Sequence, residues 1–235
     1  MSASHGIIPE SPWGKIYRYD GTTLPQYVDM AIQNSKENYS PEMDEFLADC
    51  AKISWKINSP WDIEIVDESD EQLFPILVKH LQRDYSESNR EGMIYALCRS
   101  EARPYAFELM KKIFNEHHND KNPRIPNAAA NALVKMAKIE DTEYFEALLA
   151  TPKYGVWRSM FIGEYTKLAK RKALPVLRRL LEADETGPII EALKALTKMR
   201  DTESREKFEV LLNHKDSTVR QKARRAISQL DEVIQ

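Results

Sequence analysis

Apolar positions in the second half of the chain recur three and four residues apart. In "LLNHKDSTVRQKARRAISQL", Leu211 and Leu212 are followed by Val219, Ala223, Ala226, Ile227 and Leu230. Phe208 precedes them at the same spacing. Such a period places these residues on one face of each of two helices. The turn between the helices carries Asp216. Ala223 and Ala226 are small enough to let the second helix lie close on the first.

The pattern repeats. "ALCRS" (from Ala96), "ALVKMA" (from Ala132), "EYTKLA" (from Glu164), "ALTKMR" (from Ala195) and "AISQLD" (from Ala226) mark one position of successive units. The markers Leu97, Leu133, Tyr165, Leu196 and Ile227 are separated by steps of 36, 32, 31 and 31 residues. Each has a partner helix upstream. "LFPILVKHL" and "ALPVLRRLL" are near copies, with Pro75 and Pro175 at the same place, where a proline starts or bends a helix. "RPYAFELMKKIF", "TEYFEALL" and "SREKFEVLL" fill the same slot. Asp141-Thr142 and Asp201-Thr202 read as N-caps, and Ser69 with Gln72 as a capping box. One hairpin cannot bury its apolar face alone, whereas stacked hairpins can.

Residues 211–230 resemble a HEAT repeat. They carry paired leucines, a turn with Asp216, Val219-Arg220, spaced alanines and Leu230, and the resemblance implies that Arg220 pairs with Asp216 in that turn. "LPVLRRLL" is similar to that family's proline-containing first helix. The resemblance implies an all-α, right-handed α-solenoid of about five helical hairpins. The expected repeats are 71–100, 102–138, 142–169, 171–200 and 201–231. Trp157, Phe161 and Tyr165 depart from the family's small and aliphatic residues, and "NEHHNDKNPRIP" lengthens the second turn.

Residues 1–70 do not show the period. They read as an acidic N-terminal cap, partly irregular around "GIIPESPWGKIYRYDGTTLP". A short helix is expected over Leu24 to Asn34. A better one follows Ser40 as N-cap and Pro41, with Glu42, Asp44 and Glu45 at its positive end. Met43, Phe46, Leu47 and Cys50 line one side of it. Trp13, Trp55 and Trp61 are expected to cover the end of the stack, as terminal repeats require.

Charge changes the picture further. The chain is 30% charged with a net of −3, but residues 1–80 carry −8 and residues 151–230 carry +8. Composition is that of a soluble protein, and no run of about 18 apolar residues suggests a membrane span. Cys50 and Cys98 lie in apolar stretches and read as buried thiols in a reducing, cytoplasmic setting rather than a disulfide framework. No signal peptide opens the sequence.

Two residues beyond each marker stand Arg99, Lys135, Lys167 and Lys198, then Gln229. Lys194 and Arg225 sit four residues before the last two, on the same stripe. These six cations are the candidate partner-binding row. The plain alternative is a solvated flank of each repeat.

No phosphate loop, nucleophile elbow or zinc motif occurs, so catalytic residues, cofactors and metal ligands are not assigned. His117-His118 lacks a third ligand. The expected function is a non-catalytic module, an adaptor, assembly factor or inhibitor, that docks an acidic protein partner away from membranes. The alternative is a HEAT-like nucleic-acid-binding protein or DNA glycosylase using the basic repeats. Against it stand a pI near 6.0 and the lack of aromatics interleaved with the cations. A HEAT-like chromophore lyase or chaperone has no motif in its support.

Overall fold

The structure, a computed structural model, describes residues 6–9, 16–19, 40–53, 55, 57–64 and 71–234. The fold is helical, with one exception at the front. Gly6–Pro9 (β1) and Ile16–Tyr19 (β2) form an antiparallel pair, Gly6 opposite Tyr19 and Pro9 opposite Ile16. The expectation of irregular chain here is corrected. "IYRY" carries the β-branched and aromatic residues that favour a strand, and Pro9 sits at the ladder's end, where a missing N–H costs little. The short helix expected over Leu24 to Asn34, Trp13 and the Ser69 capping box lie outside the described residues.

The chain divides into two compact units, Met1–Met136 and Ala137–Gln235. In the first, helices α1 (Asp44–Lys52), α2 (Trp61–Glu64), α3 (Leu73–Leu81), α4 (Glu87–Ala96), α5 (Arg103–His117) and α6 (Arg124–Met136) follow in order. In the second are α7 (Thr142–Ala150), α8 (Arg158–Ala169), α9 (Leu174–Leu180), α10 (Thr186–Lys198), α11 (Arg205–Val210) and α12 (Ser217–Ile234). From α3 onward the helices form consecutive pairs, each first helix packing on the second. Second helices also pack on each other: α4 on α6 in the first unit, and α8 on α10 and α10 on α12 in the second.

The buried residues follow the three-and-four spacing. Phe208, Leu211, Val219, Ala223, Ala226 and Leu230 are buried, whereas Leu212 and Ile227 are half-buried at the rim of the stripe. Pro75 and Pro175 fall in the first turns of α3 and α9, where the missing N–H has no intrahelical acceptor to lose. Two glycines permit close approach. A Cβ at Gly92 would meet the Trp61 ring at 3.1 Å, and one at Gly187 would stand 2.5 Å from Ser159 Oγ, where α10 crosses α8.

The first unit binds its acidic segment through its own cations. Met43, Phe46 and Cys50 are buried, as their spacing requires, and Leu47 is half-buried. Ser40 occupies the N-cap position but makes no side-chain cap bond, and the neighbouring acids do not serve the helix end alone. Glu42 accepts from the Ser86 N–H at 3.1 Å and from Asn89 Nδ2 at 2.5 Å, while Glu45 pairs with Arg83. Asp49 accepts from Lys52 and Lys79 at 2.7 Å each and faces His80 Nε2 at 3.1 Å. These contacts tie α1 to α3. Hydrogen bonds from Lys52, Lys79 and His80 hold the Asp49 carboxyl well below the usual carboxylate range. The His80 ring is wholly buried, edge-on to Phe46, and its Nδ1 lies 2.6 Å from the Tyr85 hydroxyl. A neutral ring with its proton on Nε2 donates to Asp49 and accepts from Tyr85, leaving no polar atom unmet. Burial lowers its pKa despite the Asp49 hydrogen bond.

Two expected caps and one expected ion pair turn out differently. The Asp141 carboxylate accepts backwards from the Lys138 N–H at 2.7 Å rather than capping α7. Asp201, almost fully buried, takes a two-pronged contact from Arg178 at 2.8 and 2.5 Å and a third from Ser204 Oγ. Burial alone would raise its pKa, but the bonds from Arg178 and Ser204 bring it below the ordinary carboxylate value. Arg220 does not pair with Asp216. It donates to the carbonyls of His214 and Lys215 at 2.7 and 2.9 Å. Asp216 instead caps α12, accepting from the Thr218 and Val219 N–H groups. These backbone hydrogen bonds lower its pKa. Both residues of the turn are thus spent on local structure.

Candidate partner-binding groove

The last two second helices, α10 and α12, meet along Leu193 and Ala226. Their outer edges do not close over that contact. A groove of about 510 Å³ remains, lined by Leu193, Thr197, Ala226 and Gln229 together with Lys194, Lys198, Arg200, Lys222 and Arg225. The volume lies within the range of about 300–1,000 Å³ that small-ligand sites occupy. Its floor is apolar and its walls are cationic.

The helical period explains the crowding. Lys194 and Lys198 stand four apart on α10, and Lys222, Arg225 and Gln229 stand three and four apart on α12, so each set shares a face. Thr197 turns its hydroxyl back to the Leu193 carbonyl at 2.7 Å and so offers little to an incoming group. Of the five cations only Lys194 has an acidic partner, Glu191 at 2.6 Å on its own helix. Among the described residues no carboxylate pairs with Lys198, Arg200, Lys222 or Arg225. Like charges on one face repel, and among the described residues only Glu191, beside Lys194, offers a carboxylate against that repulsion.

Of the six row residues, three meet in this groove: Lys194, Lys198 and Arg225. Lys167, in the same unit, is exposed and pairs with Glu164 at 3.1 Å. Arg99 and Lys135 belong to the first unit. Arg99 is half-buried and donates to the Ile63 carbonyl at 2.9 Å, where it secures α2. Lys135 is exposed near Glu101, whose carboxyl is lowered first by hydrogen bonds from its own backbone and from Ser100 and only then by the charges of Arg99 and Lys135. Arg200 and Lys222 are groove residues outside the row. Lys222 could have been found from its spacing to Arg225. Arg200 lies past the helix end, where a helical wheel does not place it.

The remaining candidates are accounted for by packing. His117 Nδ1 contacts Asp120 at 2.7 Å, and His118 Nδ1 donates to the Asn115 carbonyl at 2.9 Å. Among the described residues no group of three side chains is arranged to hold a metal ion. Phe161 and Tyr165 are buried, the Tyr165 hydroxyl donating to Glu146 at 3.0 Å, whereas Trp157 is half-buried. Trp61 packs against Tyr95, and Trp55 is half-buried. Cys50 is buried and its thiol is pushed up to about 12 by that burial, while Cys98 is half-buried. Among the described residues no helix is long and apolar enough to cross a membrane.

No family model matches the chain, and no curated protein matches it. Among solved structures it is similar to the crystal structure of an engineered protein, at 15% identity over 82% of this chain and 98% of that one, with a TM-score of 0.41. A likeness at that level carries no argument about fold or function.

Proposed function

We propose that the protein is a non-catalytic docking module of HEAT type, and that the α10–α12 groove receives an acidic segment of a protein partner. The observation that carries this reading is four cations, Lys198, Arg200, Lys222 and Arg225, that have no carboxylate partner among the described residues and surround an apolar floor. A fold that needed these charges for itself would have paired them, as it does Arg178 with Asp201 and Glu203. The repeat reading is supported by second helices packing on second helices within each unit, as a solenoid requires. An extended acidic chain can lay its carboxylates on the walls and its stems on Leu193 and Ala226. No aromatic side chain lines the groove, so a nucleic acid would find charge there but no stacking surface.

The test is fluorescence anisotropy with labelled hexaglutamate at low salt, with helicity followed in parallel. Wild type should bind with an affinity that falls as salt rises. The triple variant Lys194→Glu, Lys198→Glu, Arg225→Glu should stay folded and lose that binding. Equal binding by both proteins would overturn the assignment of the groove. Displacement of the peptide by duplex DNA at far lower concentration than by free hexaglutamate would put the nucleic-acid reading in its place.

A further inference from the structure

We infer that Arg200 is a residue through which this groove grips a side-chain carboxylate by both its oxygens, an inference that rests on the docking reading above. Helix α10 ends at Lys198, with Met199 as its C-cap. The next residue, Arg200, has φ +55°, the left-handed region. Its N–H donates to the Thr197 carbonyl at 3.0 Å, and the Asp201 N–H reaches back to Leu196 at 3.0 Å. This pair of bonds is the helix closure that glycine serves best, because a Cβ is disfavoured in that conformation. An arginine there is strained.

Nothing in the fold makes use of the side chain. Arg200 is exposed, and among the described residues no carboxylate or carbonyl receives its guanidinium. The adjacent Asp201 is committed to Arg178 and Ser204. What Arg200 does is line the groove beside Lys198, Lys222 and Arg225. The lysines are compact point charges that hold any anion. A guanidinium is a planar fork that matches the two oxygens of a carboxylate. The strained backbone therefore places a second geometry-reading group, besides Arg225, at the end of a wall whose lysines read only charge.

Two variants separate fork, charge and strain. Arg200→Gly should melt about 2–4 °C higher than wild type, because glycine relieves the left-handed strain. It should bind labelled hexaglutamate about fivefold more weakly, as loss of one solvent-screened charged contact predicts. Arg200→Lys keeps the charge and the strain, so it should gain no thermal stability and still lose most of that affinity. Unchanged hexaglutamate affinity in a stabilised Arg200→Gly, with the triple groove variant still unable to bind, would overturn the role of Arg200 and leave the docking reading standing. Wild-type affinity in Arg200→Lys would overturn the role of the fork. No binding by wild type would remove the docking reading itself.

Discussion

The acidic segment of the first unit and the basic groove of the second have opposite charge and opposite use of it. Glu42, Glu45 and Asp49 look in sequence like a negative patch available to a partner. In the structure each meets a donor from α3 or the start of α4, and the patch becomes the joint that attaches α1. Lys198, Arg200, Lys222 and Arg225 look like ordinary repeat flanks. They converge around Leu193 and Ala226, and among the described residues no acid answers them. Net charge of a segment thus says little about where a site lies. Charge left unpaired beside an apolar floor says more, because it is the residue of what the fold did not need.

That contrast can be broken at its satisfied end first. Arg178→Ala strands the buried Asp201 carboxylate with only Ser204, and should cost about 3 kcal/mol in urea unfolding. A cost under about 1 kcal/mol would mean that water reaches Asp201 and that the pair is not structural. Asp49→Ala removes the acceptor shared by Lys52, Lys79 and His80, and should cost about 2 kcal/mol. Its helicity loss should reflect the release of α1, with α9 to α12 unaffected in hydrogen exchange.

His80 sharpens the comparison through pH. Its folded pKa lies below the ordinary histidine value, so the unfolded chain takes up the proton first as pH falls below about 6.5. Stability contributed by the neutral ring is therefore present above that pH and is lost on acidification. The slope cannot exceed one proton, about 1.4 kcal/mol per pH unit. His80→Gln should be less stable at neutral pH but flatter between pH 7 and 5. An identical slope in both proteins would place the titration elsewhere.

The smallest stability effect is expected at the groove. Reversing Lys194, Lys198 and Arg225 together should change unfolding free energy by about 1 kcal/mol or less, the only fold contacts at stake being the Lys194–Glu191 pair and the helix end. A large loss would show that these cations are part of the scaffold after all.

Much of the local structure was legible. The three-and-four spacing of Phe208, Leu211, Val219, Ala223, Ala226 and Leu230 names the buried stripe, since a helix has only one face to turn inward. Pro75 and Pro175 mark helix starts because only a first turn tolerates them. Polar partners were less legible. Asp141, Asp201 and Arg220 all stand at helix ends, yet the bonds they make differ from the local rule. A cap competes with any better partner the tertiary fold brings, and Arg178 is such a partner for Asp201. The row of cations was readable as a register but not as a surface. Arg99 reaches the Ile63 carbonyl and Lys167 meets Glu164, while Lys194, Lys198 and Arg225 share one groove.

The sequence by itself determined the helical pairs, their apolar faces and the concentration of positive charge toward the second unit, because periodicity and composition are properties of the chain alone. The tertiary structure decided which charges are satisfied. That outcome depends on distances between residues remote in sequence, and an ion pair exists only where packing brings both partners within a few ångströms. It also decided the place of Arg200. A left-handed residue at a helix end points where the closure of the helix sends it, and no spacing rule reaches beyond the last turn.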